Sequence, residues 1–194
     1  VGFIKSNGGT IKINDEDITS LQMHERSKMG LAYLPQEPSI FRKLTVEDNI
    51  RLVLEAQDYL TKKERKDKEE ELLVAFGIDR VRKQYGYTLS GGERRRTEIA
   101  RALATSPKFL LLDEPFAGID PKAVYEIKQI VKHLADNGIG ILLTDHNVRD
   151  TLEITTEAHI ISNGEILVSG TRNEVLENES AREIYFGRDF MDSY

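Results

Sequence analysis

Residues 109–115 read FLLLDEP. Four consecutive apolar residues without polar alternation describe a strand buried on both faces, the habit of a parallel sheet. The run ends in Asp113 and Glu114, so two carboxylates stand at the carboxyl end of a strand. Ligands of open α/β sheets bind at that edge. One acid there can hold Mg²⁺, directly or through water, and a second can orient and deprotonate a water molecule. Taken alone, Asp-Glu fits two solvated acids at a strand end equally well.

The neighbouring segments repeat the pattern. IGILLTDH (Ile139–His146) is a second apolar run, ending in Thr144, Asp145 and His146. If the two strands are neighbours, His146 stands near Glu114 and within reach of a γ-phosphate. MGLAYLPQ (Met29–Gln36) is a third run, stopped by Pro35, and it delivers Gln36, whose neutral amide can contact a metal ion or water. PKAVYEIKQIVKHLADNG (Pro121–Gly138) reads as a helix, with Pro near its start and Gly after its end. GGTIKIND (Gly8–Asp15) reads as a strand. EAHIIS and EILVSG read as two strands joined by an Asn163-Gly164 turn. Two short helices, near Arg172–Glu177 and Ala181–Tyr185, follow. The alternation predicts an α/β domain with a parallel sheet covered on both faces.

From Thr45 the period changes to 3.6, with Val46, Ile50, Val53 and Leu54 on one stripe and Thr45 as N-cap. LTKKERKDKEEELLVAFG (Leu60–Gly77) is a second helix, with a Thr61/Glu64 capping box and a stop at Gly77. Its charge run reads as a solvated face with i,i+4 pairs. No strand signal falls between 45 and 106. A single domain over 1–194 is expected, with an α/β lobe from 1–44 and 107–172, a helical subdomain from 45–106, and a helical tail from 173–194.

That helical lobe ends in LSGGERRRTEIARAL (Leu89–Leu103). Ser90 and Glu93 form a capping box. Gly91 and Gly92 fit it poorly, because a helix-interior glycine costs about 1 kcal/mol against alanine. Glycines there let another group approach the backbone, and exposed N–H groups with the helix dipole favour an anion. Arg94, Arg95 and Arg96 add positive charge, but they point in different directions around the helix, so some are solvated.

Composition bounds the rest. The 194 residues are 39% hydrophobic and 31% charged, with net charge −6 and no cysteine. This is the balance of a globular chain. It offers no global positive field for nucleic acid or an anionic membrane, no disulfide and no thiolate metal site. No apolar run approaches the roughly 20 residues that span a bilayer.

Gln36, LSGGE, FLLLDEP and His146, in that order, closely resemble the ATPase domain of ATP-binding-cassette (ABC) transporters over essentially the whole chain. LSGGE is similar to its signature motif, FLLLDE to its Walker B strand with the catalytic glutamate, AGID (Ala117–Asp120) to its D-loop, Gln36 to its Q-loop and His146 to its switch histidine. More narrowly, YLPQEPSIFRKLTVEDNI, LLDEPFAGIDP, LLTDHNVRDTL and the tail REIYFGRDF resemble the ATPases of bacterial lipopolysaccharide export. Branched-chain amino-acid importer ATPases are the nearest rival. The resemblance implies a P-loop NTPase-like (RecA-like) core with a helical subdomain, and ATP and Mg²⁺ as cofactors. It implies a head-to-tail homodimer, transmembrane permease subunits as partners, no nucleic acid, and a place on the cytoplasmic side of the inner membrane. Glu114 and His146 would be catalytic. Gln36, Ser90, Gly91, Gly92, Glu93, Asp113 and Asp120 would bind ATP, the signature residues of one subunit covering the ATP of the other, with Gln36 and Asp113 also serving the metal. Phe41 and Leu44 would receive a partner helix.

One departure stands out. The family's phosphate-binding loop, G-x-x-x-x-G-K-[ST], is absent, and no Gly-Lys dipeptide occurs anywhere. By the resemblance, Val1 falls just after the helix that follows that loop, so the first part of the domain is expected to be missing. The 194-residue polypeptide is then expected not to bind or hydrolyse ATP alone.

Overall fold

The computed structural model describes residues 1–181. The chain divides into two compact units, Val1–His146 and Asn147–Tyr194. The tail REIYFGRDF, and most of the helix expected near Ala181–Tyr185, lie outside the described residues.

The first unit opens with a small antiparallel pair, β1 (Lys12–Ile13) and β2 (Glu16–Asp17), and a short helix, α1 (Met23–Lys28). Its centre is a parallel sheet of β3 (Leu31–Leu34), β4 (Phe109–Asp113) and β5 (Gly140–Thr144), in that spatial order. These are the three apolar runs of the sequence. One face, carrying Ala32, Leu34, Leu110 and Leu112, is buried. Each large side chain there contributes about 1.5–3 kcal/mol by leaving water. The opposite face carries Tyr33, Leu111, Asp113, Leu142 and Thr144, because successive side chains alternate and register pairs share a face. That face is only partly covered, and Leu142 is 59% exposed. The expectation of a sheet covered on both faces therefore holds for one face only among the described residues.

Between β3 and β4 lie α2 (Val46–Glu55), α3 (Lys62–Ala75) and α4 (Gly91–Leu103). Thr45 caps α2 by accepting from the Asp48 N–H, and Val46, Ile50 and Leu54 are its buried stripe. Gly77 ends α3 with φ +58°, in the left-handed region that favours glycine. Most charges of α3 are exposed, as expected of a solvated face, but Glu69 and Glu70 pair with other elements rather than in i,i+4 fashion. Glu69 receives two N–H groups of Arg51 on α2, at 2.8 and 2.9 Å, and Glu70 pairs with Arg82. Glu69 is buried, which favours a fork-shaped partner over water. Helix α4 packs against β3, and α5 (Pro121–Asp136) joins β4 to β5.

The second unit holds α6 (Val148–Ile154), the hairpin β6 (Ala158–Ser162) and β7 (Glu165–Gly170), then α7 (Arg172–Glu177) and α8 (Glu179–Ala181). Asn163 and Gly164 both have positive φ, as a two-residue hairpin turn requires. Leu152, Ile160, Val168, Val175 and Ala181 form its core.

Candidate functional site

The carboxyl ends of the three parallel strands bring Gln36, Glu114 and His146 together. Gln36 Nε2 donates to Glu114 Oε2 at 2.6 Å, and His146 Nε2 lies 2.7 Å from Glu114 Oε1. The Glu114 side chain is mostly shielded, whereas His146 is open to solvent. The Glu114 N–H bonds to the Thr144 carbonyl at 2.8 Å, which prolongs the β4–β5 ladder by one residue. Glu114 also has φ +42°, a region costly for a residue with a Cβ. Strain of that kind persists where surrounding bonds over-determine the backbone. Here it aims the carboxylate between an amide and an imidazole. A carboxylate so held, with lone pairs to spare, is placed to accept a proton from a water molecule.

Asp113 lies one residue earlier, so its side chain points to the other face of the strand. Its Oδ1 accepts from the Thr144 hydroxyl at 2.7 Å and its Oδ2 from the Tyr33 hydroxyl at 3.0 Å. Burial, and then the bond to Asp113, raise the Tyr33 pKa, which keeps its phenol a donor. The described residues contain no cluster of three or more His, Cys, Asp or Glu suited to a metal. Mg²⁺ normally takes one or two carboxylates, with phosphate and water supplying the rest, so the single carboxylate Asp113 fits that ion.

The start of α4 carries the expected capping box. Ser90 Oγ accepts from the Glu93 N–H at 3.3 Å, and Glu93 Oε2 accepts from the Ser90 N–H at 2.9 Å. Hydrogen bonds from the Ser90 hydroxyl, and then from the Ser90 N–H, hold the Glu93 carboxyl below its usual range. The two glycines have different causes. A Cβ on Gly92 would lie 2.6 Å from the Ala123 Cβ, so close packing of α4 on α5 demands this glycine. At Gly91 the nearest atom to such a Cβ would be the Gly118 carbonyl oxygen, 3.7 Å away, so Gly91 remains approachable. Asp120 is exposed and caps α5, its Oδ1 accepting from the Ala123 N–H at 3.1 Å.

Phe41 is 47% exposed, with the Arg101 guanidinium 4.9 Å from its ring centre. Leu44 is half-buried. Buried Asn49 grips this loop, accepting from the Phe41 N–H and donating to the Phe41 and Thr45 carbonyls.

Four residues of the site carry no recognisable sequence signal. Tyr33 and Thr144 reach Asp113 only through strand register. Arg95 is buried rather than solvated, and it donates to the carbonyls of Pro35, Asp113 and Pro115 at 2.8, 3.0 and 3.3 Å. Burial lowers its pKa, and Glu98 offsets part of that. Glu98, also buried, accepts from the N–H groups of Ser39 and Ile40 at 2.8 and 3.0 Å. One helix thus holds the backbone on both sides of Gln36 and at the end of β4. Arg96 pairs with Glu126 of α5. The buried arginine could have been suspected only by projecting RRR onto a helix with a known buried face.

The family profile described as ABC transporter matches residues 1–117. The chain is 50% identical over 190 residues to the lipopolysaccharide export system ATP-binding protein LptB of Escherichia coli (strain K12), covering 98% of this chain and 79% of that protein. The chain belongs to the ABC transporter ATPase family. This ABC ATPase is likewise 50% identical over 190 residues to LptB of Haemophilus influenzae. Among solved structures it resembles MJ1267, an ATP-binding cassette of an ABC transporter, with TM-score 0.84 and 28% identity over 96% of this chain and 80% of that one. Membership brings with it nucleotide binding and ATP hydrolysis, the chemistry of the family. Among the described residues, no helix of this ABC ATPase is long and apolar enough to cross a membrane.

Proposed function

We propose that this chain is the ATPase subunit of a lipopolysaccharide exporter, working as a head-to-tail homodimer docked on transmembrane permease subunits at the cytoplasmic side of the inner membrane. The observation that carries the ATPase half is the Gln36–Glu114–His146 cluster, with both Glu114 oxygens engaged. The export half rests on the near-full-length identity to the LptB proteins.

In this reading Glu114 orients and polarises the attacking water, and His146 contacts the γ-phosphate. Gln36 responds to metal and water, and Asp113 holds Mg²⁺. Held there, Mg²⁺ would supply positive charge to offset the negative charge that develops on the phosphate. Ser90, Gly91, Gly92 and Glu93 present the N-terminus of α4 to the γ-phosphate of an ATP held by the other subunit, where free N–H groups and the helix dipole favour an anion. Asp120 stands at the subunit boundary. Phe41 and Leu44 receive a helix of the permease. The 194-residue polypeptide has no G-x-x-x-x-G-K-[ST] loop and should not hold ATP alone.

Two experiments test this. In the complete ATPase, with a phosphate-binding loop, Glu114→Gln should retain ATP binding and lose turnover by about a hundredfold or more, the scale of a positioned general base. Normal turnover refutes the assigned role. For the export half, the complete protein should restore growth to E. coli depleted of LptB. Failure to do so, together with association with an importer's membrane subunits, would overturn it.

A further inference from the structure

Asp113 is held in an unusual way for a half-buried carboxylate. Each oxygen accepts one hydroxyl: Thr144 on Oδ1 at 2.7 Å and Tyr33 on Oδ2 at 3.0 Å. The two donors come from the strands on either side. Thr144 is the register partner of Asp113 on β5. Tyr33 is the register partner of Leu111 on β3, two residues back on the same face, and its longer side chain covers that distance. Neither hydroxyl has a second hydrogen-bond partner among the described residues, and no cation there lies within salt-bridge distance of the carboxylate, although the buried Arg95 guanidinium attracts it electrostatically. Arg95 donates to the Asp113 carbonyl oxygen instead.

The torsion that turns a carboxylate is soft and broad. Two donors on opposite oxygens remove that freedom. Because both donors are neutral, the negative charge stays available. An ionised carboxylate has about four lone-pair sites, and two remain open here. A carboxylate with a fixed plane, full charge and open lone pairs suits a cation or its bound water. The ring of Tyr33 is held separately, edge-on to Phe3 at 5.8 Å, so the phenol oxygen is free to serve Asp113.

We propose that Tyr33 and Thr144 are positioning residues that pre-orient Asp113 for a divalent cation. This rests on the reading of Asp113 as the metal-holding residue. Hydrogen bonds that orient a metal ligand are commonly worth ten- to a hundredfold in metal affinity.

The test uses the complete ATPase, phosphate-binding loop included, with Mn²⁺ as the probe. Its affinity in the presence of a non-hydrolysable ATP analogue is read by electron paramagnetic resonance. Tyr33→Phe keeps the ring and should weaken Mn²⁺ binding by about tenfold. Thr144→Val, on the opposite oxygen, should weaken it in the same sense. Turnover of either variant should recover at high Mg²⁺, with the half-saturating Mg²⁺ concentration raised and the maximal rate little changed, a split that mere loss of stability does not produce. Asp113→Ala is the control for the underlying reading. If it abolishes Mn²⁺ binding while Tyr33→Phe and Thr144→Val bind as the unmodified protein does, the positioning role is wrong. If Asp113→Ala itself leaves the affinity unchanged, the metal-holding role of Asp113 falls and the proposal falls with it.

Discussion

Helices α3 and α4 begin with nearly the same bonds. At α3, Glu64 Oε2 accepts from the Thr61 N–H at 2.8 Å and from its hydroxyl at 2.7 Å; at α4, Glu93 Oε2 accepts from Ser90 at 2.9 and 2.7 Å. The next two residues separate them. In α3 they are Lys62 and Lys63, both exposed. In α4 they are Gly91 and Gly92, the second buried against Ala123. A capping box satisfies orphan N–H groups in either place. Only at α4 does the surrounding structure turn a capped end into a surface pressed on α5 and bare of side chains beside it. Local bonding is the same at the two ends, and the surfaces they present differ because of what stands next to them.

The largest break in this comparison should come from Gly92→Val. Its added atoms meet Ala123 and should cost about 1–3 kcal/mol, read as a loss of several degrees in Tm. Lys63→Val, at the equivalent place in α3, should stay within about 0.5 kcal/mol. Equal losses at the two positions would mean that α4 is not pinned on α5.

A smaller contrast separates stability from activity. Ser90→Ala and Thr61→Ala should each cost about 1 kcal/mol in denaturant unfolding, since each removes a cap. In the complete ATPase only Ser90→Ala should also reduce turnover, by about tenfold, roughly the worth of one charge-assisted hydrogen bond to phosphate. A Thr61→Ala variant with the same turnover defect would erase the distinction.

The smallest effect should be a shared pH dependence. The Thr61 and Ser90 bonds hold the Glu64 and Glu93 carboxyls below the usual carboxylate range. A depressed carboxyl stabilises the fold above its unfolded pKa, and that contribution fades as pH falls through the folded value. The Tm gap between the unmodified protein and Glu93→Gln or Glu64→Gln should therefore be widest near pH 7 and close at acid pH, in the same way for both helices. A gap that persists unchanged to low pH would remove the charge of the carboxylate from the account.

The parts of the fold that were legible are those where one residue type has few alternatives. FLLLD, ILLT and LAYL had no polar partner to alternate with and became parallel strands. Thr45, Thr61, Ser90 and Pro121 marked helix starts, and Gly77 and Asn163-Gly164 marked turns, because cap chemistry and positive φ are local demands. The short helices α1 and α6 drew no such expectation. They are six and seven residues long, and helices of that length are held by context rather than by propensity. The charges of α3 were legible as charges, but their partners on other elements were not.

The same division runs through the site. The order of the motifs along the chain nominated Gln36, Asp113, Glu114 and His146 through their family resemblance, and their places at strand ends agreed, since strand ends gather at one edge of a parallel sheet. That Glu114 takes both Gln36 and His146, that Tyr33 and Thr144 hold Asp113, and that Arg95 and Glu98 are buried brackets depended on register and packing. Periodicity and cap chemistry act over a few residues and can be read from a line of letters. Hydrogen bonds between residues 31 to 80 positions apart exist only once the strands and helices have taken their places.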